Sequence, residues 1–193
     1  MRPSRATLVL MVVLLCGIDP TARAWWTPLR EDLVRMAEVM ILPYRVARLS
    51  TQRPATVLLM PVAGARVKRI ADTWGAPRPG GRIHQGQDIF APRGMAVRSA
   101  TEGYVVHVGR HSLGGNAVVI MGAGGRRYYY AHLEAVAPDI RVGRHVTTDT
   151  IIGVVGNTGN AVRTPPHLHL AVYTRSGPID PLPRLRDRLS PHS

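Results

Sequence analysis

Cysteine is nearly absent from this chain, which excludes the commonest staple of small exported proteins. The one cysteine, Cys16, follows an apolar run at residues 8–15 that stands behind a charged start at Arg2 and Arg5. With Ala22-Arg23-Ala24 as a small-x-small cleavage site, residues 1–24 read as a secretory signal peptide. The chain beyond it has no thiol, so neither disulfides nor cysteine metal ligands can hold its fold. Long hydrophobic runs are missing too. The apolar run falls well short of the roughly 20 residues a membrane span needs, so no permanent span is expected after cleavage. Acid is scarce, with 12 Asp and Glu against 25 Lys and Arg and a net charge of +13, and Lys68 is the only lysine. An arginine-rich surface favours anionic partners. For an exported protein these are envelope polymers or acidic lipids rather than nucleic acid, although such charge also serves plain solubility.

What remains is organised in two textures. Thr27-Pro28 supplies an N-cap and a proline at the first helical position, with Glu31 and Asp32 in the first turn. Leu29, Leu33, Met36, Ala37 and Met40 recur at helical spacing, so an amphipathic helix is expected over residues 27–42, stopped by Pro43. A linker then follows to residue 55. From Val57 short β-type runs alternate with Gly and Pro turns. Strands are expected at residues 57–60, 96–99, 103–108, 117–121, 127–133, 151–155 and 167–173, with turns at 92–94, 114–116, 122–125 and 156–159. The expected fold class is all-β, a mostly antiparallel sandwich or partial barrel over residues 56–183, preceded by one helix and followed by a basic tail at 184–193.

Three stretches carry candidate chemistry. In Pro165-Pro166-His167-Leu168-His169, two imidazoles sit two residues apart on a stiffly entered strand, so they face the same way with Cα atoms about 6.5 Å apart. One ring could then bind a metal while the other reaches a water on it; a solvated edge strand is the plain alternative. In His84-Gln85-Gly86-Gln87-Asp88, a flat strand would hold His84 and Asp88 about 13 Å apart, so sharing an ion requires a bend, and Gly86 could supply it through its φ or a bulge. A water-binding surface turn is the competing reading. In Tyr128-Tyr129-Tyr130-Ala131-His132, strand alternation puts Tyr128, Tyr130 and His132 on one face. His107, His111, His145 and His192 fit no motif and read as surface residues, and Asn116 reads as a turn residue, with a donor at the substrate groove as its functional alternative.

Taken together and in order, His84-x-Gly86-x-Asp88-Ile89-x-Ala91-Pro92-x-Gly94, Tyr130-Ala131-His132-Leu133, Ile152-Gly153-x-x-Gly156-x-Thr158-Gly159 and Pro166-His167-Leu168-His169 resemble the lysostaphin-type, LytM-like zinc endopeptidases of bacterial cell walls. The resemblance covers roughly residues 61–183. It implies that His84, Asp88 and His169 are zinc ligands, that His132 and His167 form the catalytic pair, and that the substrate is peptidoglycan. Two imidazoles and one carboxylate leave the fourth position open, as catalytic zinc sites require. No His-Glu-x-x-His motif supplies a glutamate base. The sequence departs from the family pattern at Pro165, at Asp149 and at Leu170-Ala171, where an acidic partner is common; such partners are worth 10- to 100-fold in metal affinity or activity.

The resulting expectation is an exported zinc endopeptidase, periplasmic or associated with the cell wall. The alternative is a non-catalytic relative that binds the wall or activates another hydrolase. Such relatives typically lose the ligands, and here all five candidate residues are present.

Overall fold

The computed structural model describes residues 20–188, with side chains from residue 29 onward. The charged start, the apolar run and the end of the basic tail, all assigned above, lie outside the described residues. The chain falls into two units that meet between Met40 and Ile41. One helix, α1 (Pro20–Ser50), runs through that boundary. No helix among the described residues is long and apolar enough to cross a membrane.

Pro43 does not end α1. A proline inside a helix removes one backbone bond and costs roughly 3 kcal/mol. Beyond it, Leu42, Val46 and Leu49 recur at helical spacing and are half-buried. The Arg45 guanidinium lies 5.1 Å from the Tyr104 ring centroid, and the Ser50 hydroxyl donates back to the Val46 carbonyl at 2.8 Å. Packing of that face offsets the proline, so the expected linker begins only after Ser50.

The strands are β1 (Leu58–Leu59), β2 (Pro77–Arg78), β3 (Arg82–Ile83), β4 (Gln87–Phe90), β5 (Ala96–Arg98), β6 (Gly103–His111), β7 (Gly115–Met121), β8 (Arg127–Val136), β9 (His145–Val146), β10 (Ile151–Val155), β11 (His167–Thr174), β12 (Gly177–Ile179) and β13 (Leu185–Arg186). Nine of them form one sheet, with the path β12-β11-β8-β7-β6-β9, to which β4 is added beside β11, and β10 beside β8 and β5. Every pairing in this sheet is antiparallel. Among the described residues the fold is thus mostly β with an open antiparallel sheet, one N-terminal helix and no closed barrel, in agreement with the expected class.

Alternation decides which face is core. Tyr128, Tyr130, Leu168, Leu170, Val172 and Ile89 all point to one side and are at most 1 % exposed. Burying a leucine such as Leu168 contributes roughly 2 kcal/mol. The buried Tyr130 hydroxyl accepts the Ala100 amide at 2.9 Å, and burial pushes its pKa up to about 12.

The basic tail is shorter than expected. Leu185 is fully buried, and β13 pairs in parallel with β1. The Arg188 side chain donates to the carbonyls of Met60, Ser99 and Thr148 at 2.7 to 2.9 Å. Charge composition hid this pairing, because the buried Leu185 stands between Arg184 and Arg186, and Arg188 docks through its guanidinium rather than through apolar surface.

Candidate metal centre and its flanking histidines

The site lies on the opposite face of the same three strands. In the β4–β11 register Asp88 pairs with His169 and Phe90 with His167, while Ile89 and Leu168 face the core. Strand β8 flanks β11 on its other side, with Ala131 opposite His169. Asp88, His167 and His169 therefore share one face for a reason that alternation alone supplies.

His84 arrives by a bend. The chain turns at Gly86 and β4 begins only at Gln87. Gly86 is not in a left-handed conformation, so the expected reason for a glycine is replaced by another. A Cβ at this position would lie 2.5 Å from Cε1 of His169 and 2.8 Å from the Leu170 carbonyl oxygen. Glycine is needed so that the backbone can pass under the His169 ring.

Three donor atoms converge. His84 Nε2 lies 3.1 Å and His169 Nδ1 3.0 Å from Asp88 Oδ1, and the two nitrogens are 2.9 Å apart. His84 Nδ1 is 2.6 Å from the Thr73 carbonyl oxygen. A carbonyl only accepts, so the proton of neutral His84 sits on Nδ1 and Nε2 presents a bare lone pair. That lone pair and the carboxylate lone pairs of Asp88 face one another at hydrogen-bond distance, which a shared proton or a cation between them relieves. The donor set therefore fits a divalent metal: two imidazoles and a carboxylate, with one histidine oriented from behind by a carbonyl. Burial pushes the Asp88 carboxyl up, but its contacts with His169 and His84 prevail and hold it below the ordinary carboxylate range. Burial likewise pushes the His169 pKa down.

Arg78 on β2 contacts the other carboxylate oxygen, Oδ2, leaving Oδ1 toward the histidines. Thr73 serves twice, since its hydroxyl also accepts the Asp88 amide at 2.9 Å. Neither residue was singled out from sequence. Arg78 is one arginine among many, and only folding of the β2–β3 hairpin brings it to Asp88.

His132 and His167 stand beside this cluster, with ring centroids 5.0 Å apart; His132 is 5.9 Å from His169, and His167 Nε2 is 3.8 Å from Asp88 Oδ1. Both are at most 8 % exposed. His132 Nδ1 faces the Thr158 carbonyl at 2.8 Å and His167 Nδ1 faces that of Pro165 at 2.9 Å, so each ring keeps a bare Nε2. Burial pushes the His132 pKa down to about 4.

One expectation for this strand is overturned. His132 does not share the face of Tyr128 and Tyr130. It has φ +62°, the only positive φ outside glycine among the described residues, at a place where the β7–β8 register shifts. This left-handed residue makes a bulge that turns the following chain over, moving His132 from the core face to the site. A strained rotation of this kind is not visible to a period-2 pattern. Asn116 is likewise not a turn residue: it opens the β7 pairing opposite Leu133, its amide N–H donates to Thr158 Oγ1 at 2.9 Å, and its side chain donates to the Glu134 carbonyl at 3.0 Å.

Of the unassigned histidines, His107 and His111 lie tilted against each other with ring centroids 4.6 Å apart, and His111 meets Tyr129 edge-on, which in turn stands edge-on to His169 at 6.1 Å. Ala171 is fully buried opposite Tyr129, so the place of the common acidic partner lies next to an aromatic side chain. His192 lies outside the described residues.

An antiparallel β domain that gathers two histidines and an aspartate, flanked by two more histidines, defines a candidate metallohydrolase site. The sequence profile of Peptidase family M23 matches residues 82–181, more than half of the chain, and the chain belongs to that family. It is 38 % identical over 125 residues to the L-Ala--D-Glu endopeptidase of Bacillus subtilis, a match covering 59 % of this chain and 38 % of that protein. It is 36 % identical over 119 residues to the DD-carboxypeptidase/endopeptidase Mpg of Neisseria meningitidis, covering 62 % of this chain and 25 % of that protein. The chain thus spans well under half the length of these relatives. Among solved structures, the catalytic domain of lysostaphin from Staphylococcus simulans superposes with a TM-score of 0.54 at 30 % identity, covering 61 % of this chain and 92 % of that one. A zinc containing peptidase from Vibrio cholerae gives 0.56 at 28 % identity, covering 68 % of this chain and 40 % of that one.

Proposed function

We propose that this chain is an exported zinc endopeptidase that hydrolyses peptide cross-links of peptidoglycan in the periplasm or at the cell wall. The observation that carries the reading is the convergence of His84, Asp88 and His169, with the bare Nε2 atoms of His132 and His167 beside them. Membership of Peptidase family M23 and the endopeptidases among its relatives support the same chemistry. Zinc held by His84, Asp88 and His169 would supply an acidified water and a polarised scissile carbonyl.

The chain's own residues do the rest. Arg78 and Thr73 hold the Asp88 carboxylate and the His84 ring in register, so the donors are set before substrate arrives. His132 and His167 divide the proton work: one takes a proton at Nε2 from the attacking water and returns it to the leaving amine nitrogen as the C–N bond breaks, and the other, in its protonated form, donates a hydrogen bond to the oxyanion that develops at the carbonyl. Carbonyls fix the far nitrogen of both rings, so little reorientation is needed at the moment of transfer.

Digestion of purified peptidoglycan by the zinc-supplied chain, with and without a chelator, tests the reading. The expected result is release of peptide fragments that stops on chelation, with about one zinc per chain. His169→Ala is expected to lose both zinc and turnover, and His167→Ala to keep zinc and lose turnover. Undiminished digestion by His169→Ala would overturn the mechanism.

A further inference from the structure

Beside Asp88 the surface sinks into a recess of about 300 Å³. Its apolar lining mixes small side chains, Ala63, Ala65 and Ala91, with the larger Ile70 and Met95 and the buried Ile89. One lining residue is Phe90, the single phenylalanine of the chain, which is 53 % exposed and lies tilted against the His167 ring with centroids 5.2 Å apart. An aromatic side chain left this open beside a catalytic-type histidine is a contact surface for a ligand rather than part of the core.

The short 3-10 turn Val67–Arg69 and its N-cap residue Arg66 also border the recess, with Arg66 and Arg69 among its lining residues. Arg66 has a carboxylate partner in Asp187 at 3.7 Å. Arg69 makes no such ion pair among the described residues. The recess thus combines apolar lining residues with two guanidinium groups, and Asp88, the only acidic group lining it among the described residues, is already taken up by His84, His169 and Arg78.

We propose that this recess is a subsite for a carboxylate-bearing side chain of the substrate peptide, with Arg69 as the anion's partner. The proposal rests on the peptidoglycan hydrolase reading and deepens it, selecting acidic stem-peptide residues over their amidated forms. The aliphatic stem of an acidic residue packs on the apolar lining, Phe90 included, and the carboxylate reaches the guanidinium in a charge-assisted hydrogen bond. An amide of the same shape packs equally well but leaves Arg69 to water. A basic side chain is repelled, since both arginines line the recess.

The test uses two non-cleavable stem-peptide analogues, identical except that one carries a free side-chain carboxylate and the other its primary amide. Their dissociation constants are measured by calorimetry on the zinc-supplied full chain. The acid analogue is expected to bind about tenfold more tightly than the amide, with the ratio shrinking as salt rises. Arg69→Gln should reduce the ratio to below about twofold and Arg69→Glu should invert it, while Arg110→Gln, on β6, leaves it unchanged. Arg69 is exposed, so these variants fold, and melting curves check that. Equal binding of acid and amide by the wild type, or an unchanged ratio in Arg69→Gln, overturns the subsite. Digestion of peptidoglycan is scored separately. A chain that binds with the expected preference yet never cleaves wall loses the hydrolase reading and keeps the subsite, whereas cleavage without an Arg69-dependent preference does the opposite.

Discussion

His132 and Thr158 are locked together: the imidazole Nδ1 meets the Thr158 carbonyl at 2.8 Å, while the Thr158 hydroxyl donates to the Leu133 carbonyl at 2.9 Å. The same hydroxyl accepts the Asn116 amide at 2.9 Å. Thr158 therefore clamps both the ring and the backbone that follows the left-handed turn at φ +62°. Thr158→Val keeps the carbonyl but removes the clamp. Turnover of peptidoglycan is expected to fall about tenfold or more with zinc content unchanged, and stability by roughly 1–2 kcal/mol. Loss of zinc together with activity would instead place Thr158 in metal binding.

The strain at His132 has its own signature. A non-glycine residue in the left-handed region costs about 1 kcal/mol, which glycine avoids. His132→Gly should therefore melt higher than His132→Ala, with both variants inactive. Urea denaturation of the pair measures the difference; equal midpoints would mean that the bulge relaxes when the ring is removed.

Gly86→Ala introduces a Cβ into the His169 ring and the Leu170 carbonyl. Overpacking of this kind costs roughly 1–3 kcal/mol. Because the displaced group is one of the three converging donors, zinc affinity is expected to fall with stability, at least tenfold by competition with a chromogenic chelator. A variant with wild-type zinc affinity would show that the chain shifts without moving His169.

Acid should destabilise the metal-free protein in a defined window. His132 has a pKa of about 4 in the folded chain against an ordinary value of about 6.5, and burial also lowers that of His169. The unfolded chain therefore binds more protons below pH 6.5, and by linkage the folded state loses stability as pH falls from about 6.5 toward 4. Above pH 6.5 these two groups contribute no pH dependence. His132→Asn, whose side chain tolerates a left-handed backbone, should flatten this part of the profile in chelator-treated protein. An identical slope in wild type and variant would assign the window to other groups.

The C-terminal segment is a part of the fold. Leu185 is fully buried beside β1, so Leu185→Ala is expected to cost about 2–5 kcal/mol. A thermal shift of under a few degrees would return residues 184–188 to the status of a tail.

The amino-acid sequence by itself determined the β texture, the face shared by His167 and His169, and the need for a bend between His84 and Asp88. These follow from local facts: the two-residue period of a strand, the stiffness of Pro165-Pro166, and the reach of an extended chain. Only the tertiary structure decided which way His132 points, because one left-handed residue breaks the period without leaving a compositional mark. It also decided that Gly86 serves close approach to His169, that Arg78 and Thr158 support the site, and that α1 continues past Pro43. Each of these depends on a partner distant in sequence or on packing that outweighs a local preference, and nearest-neighbour chemistry carries no record of either.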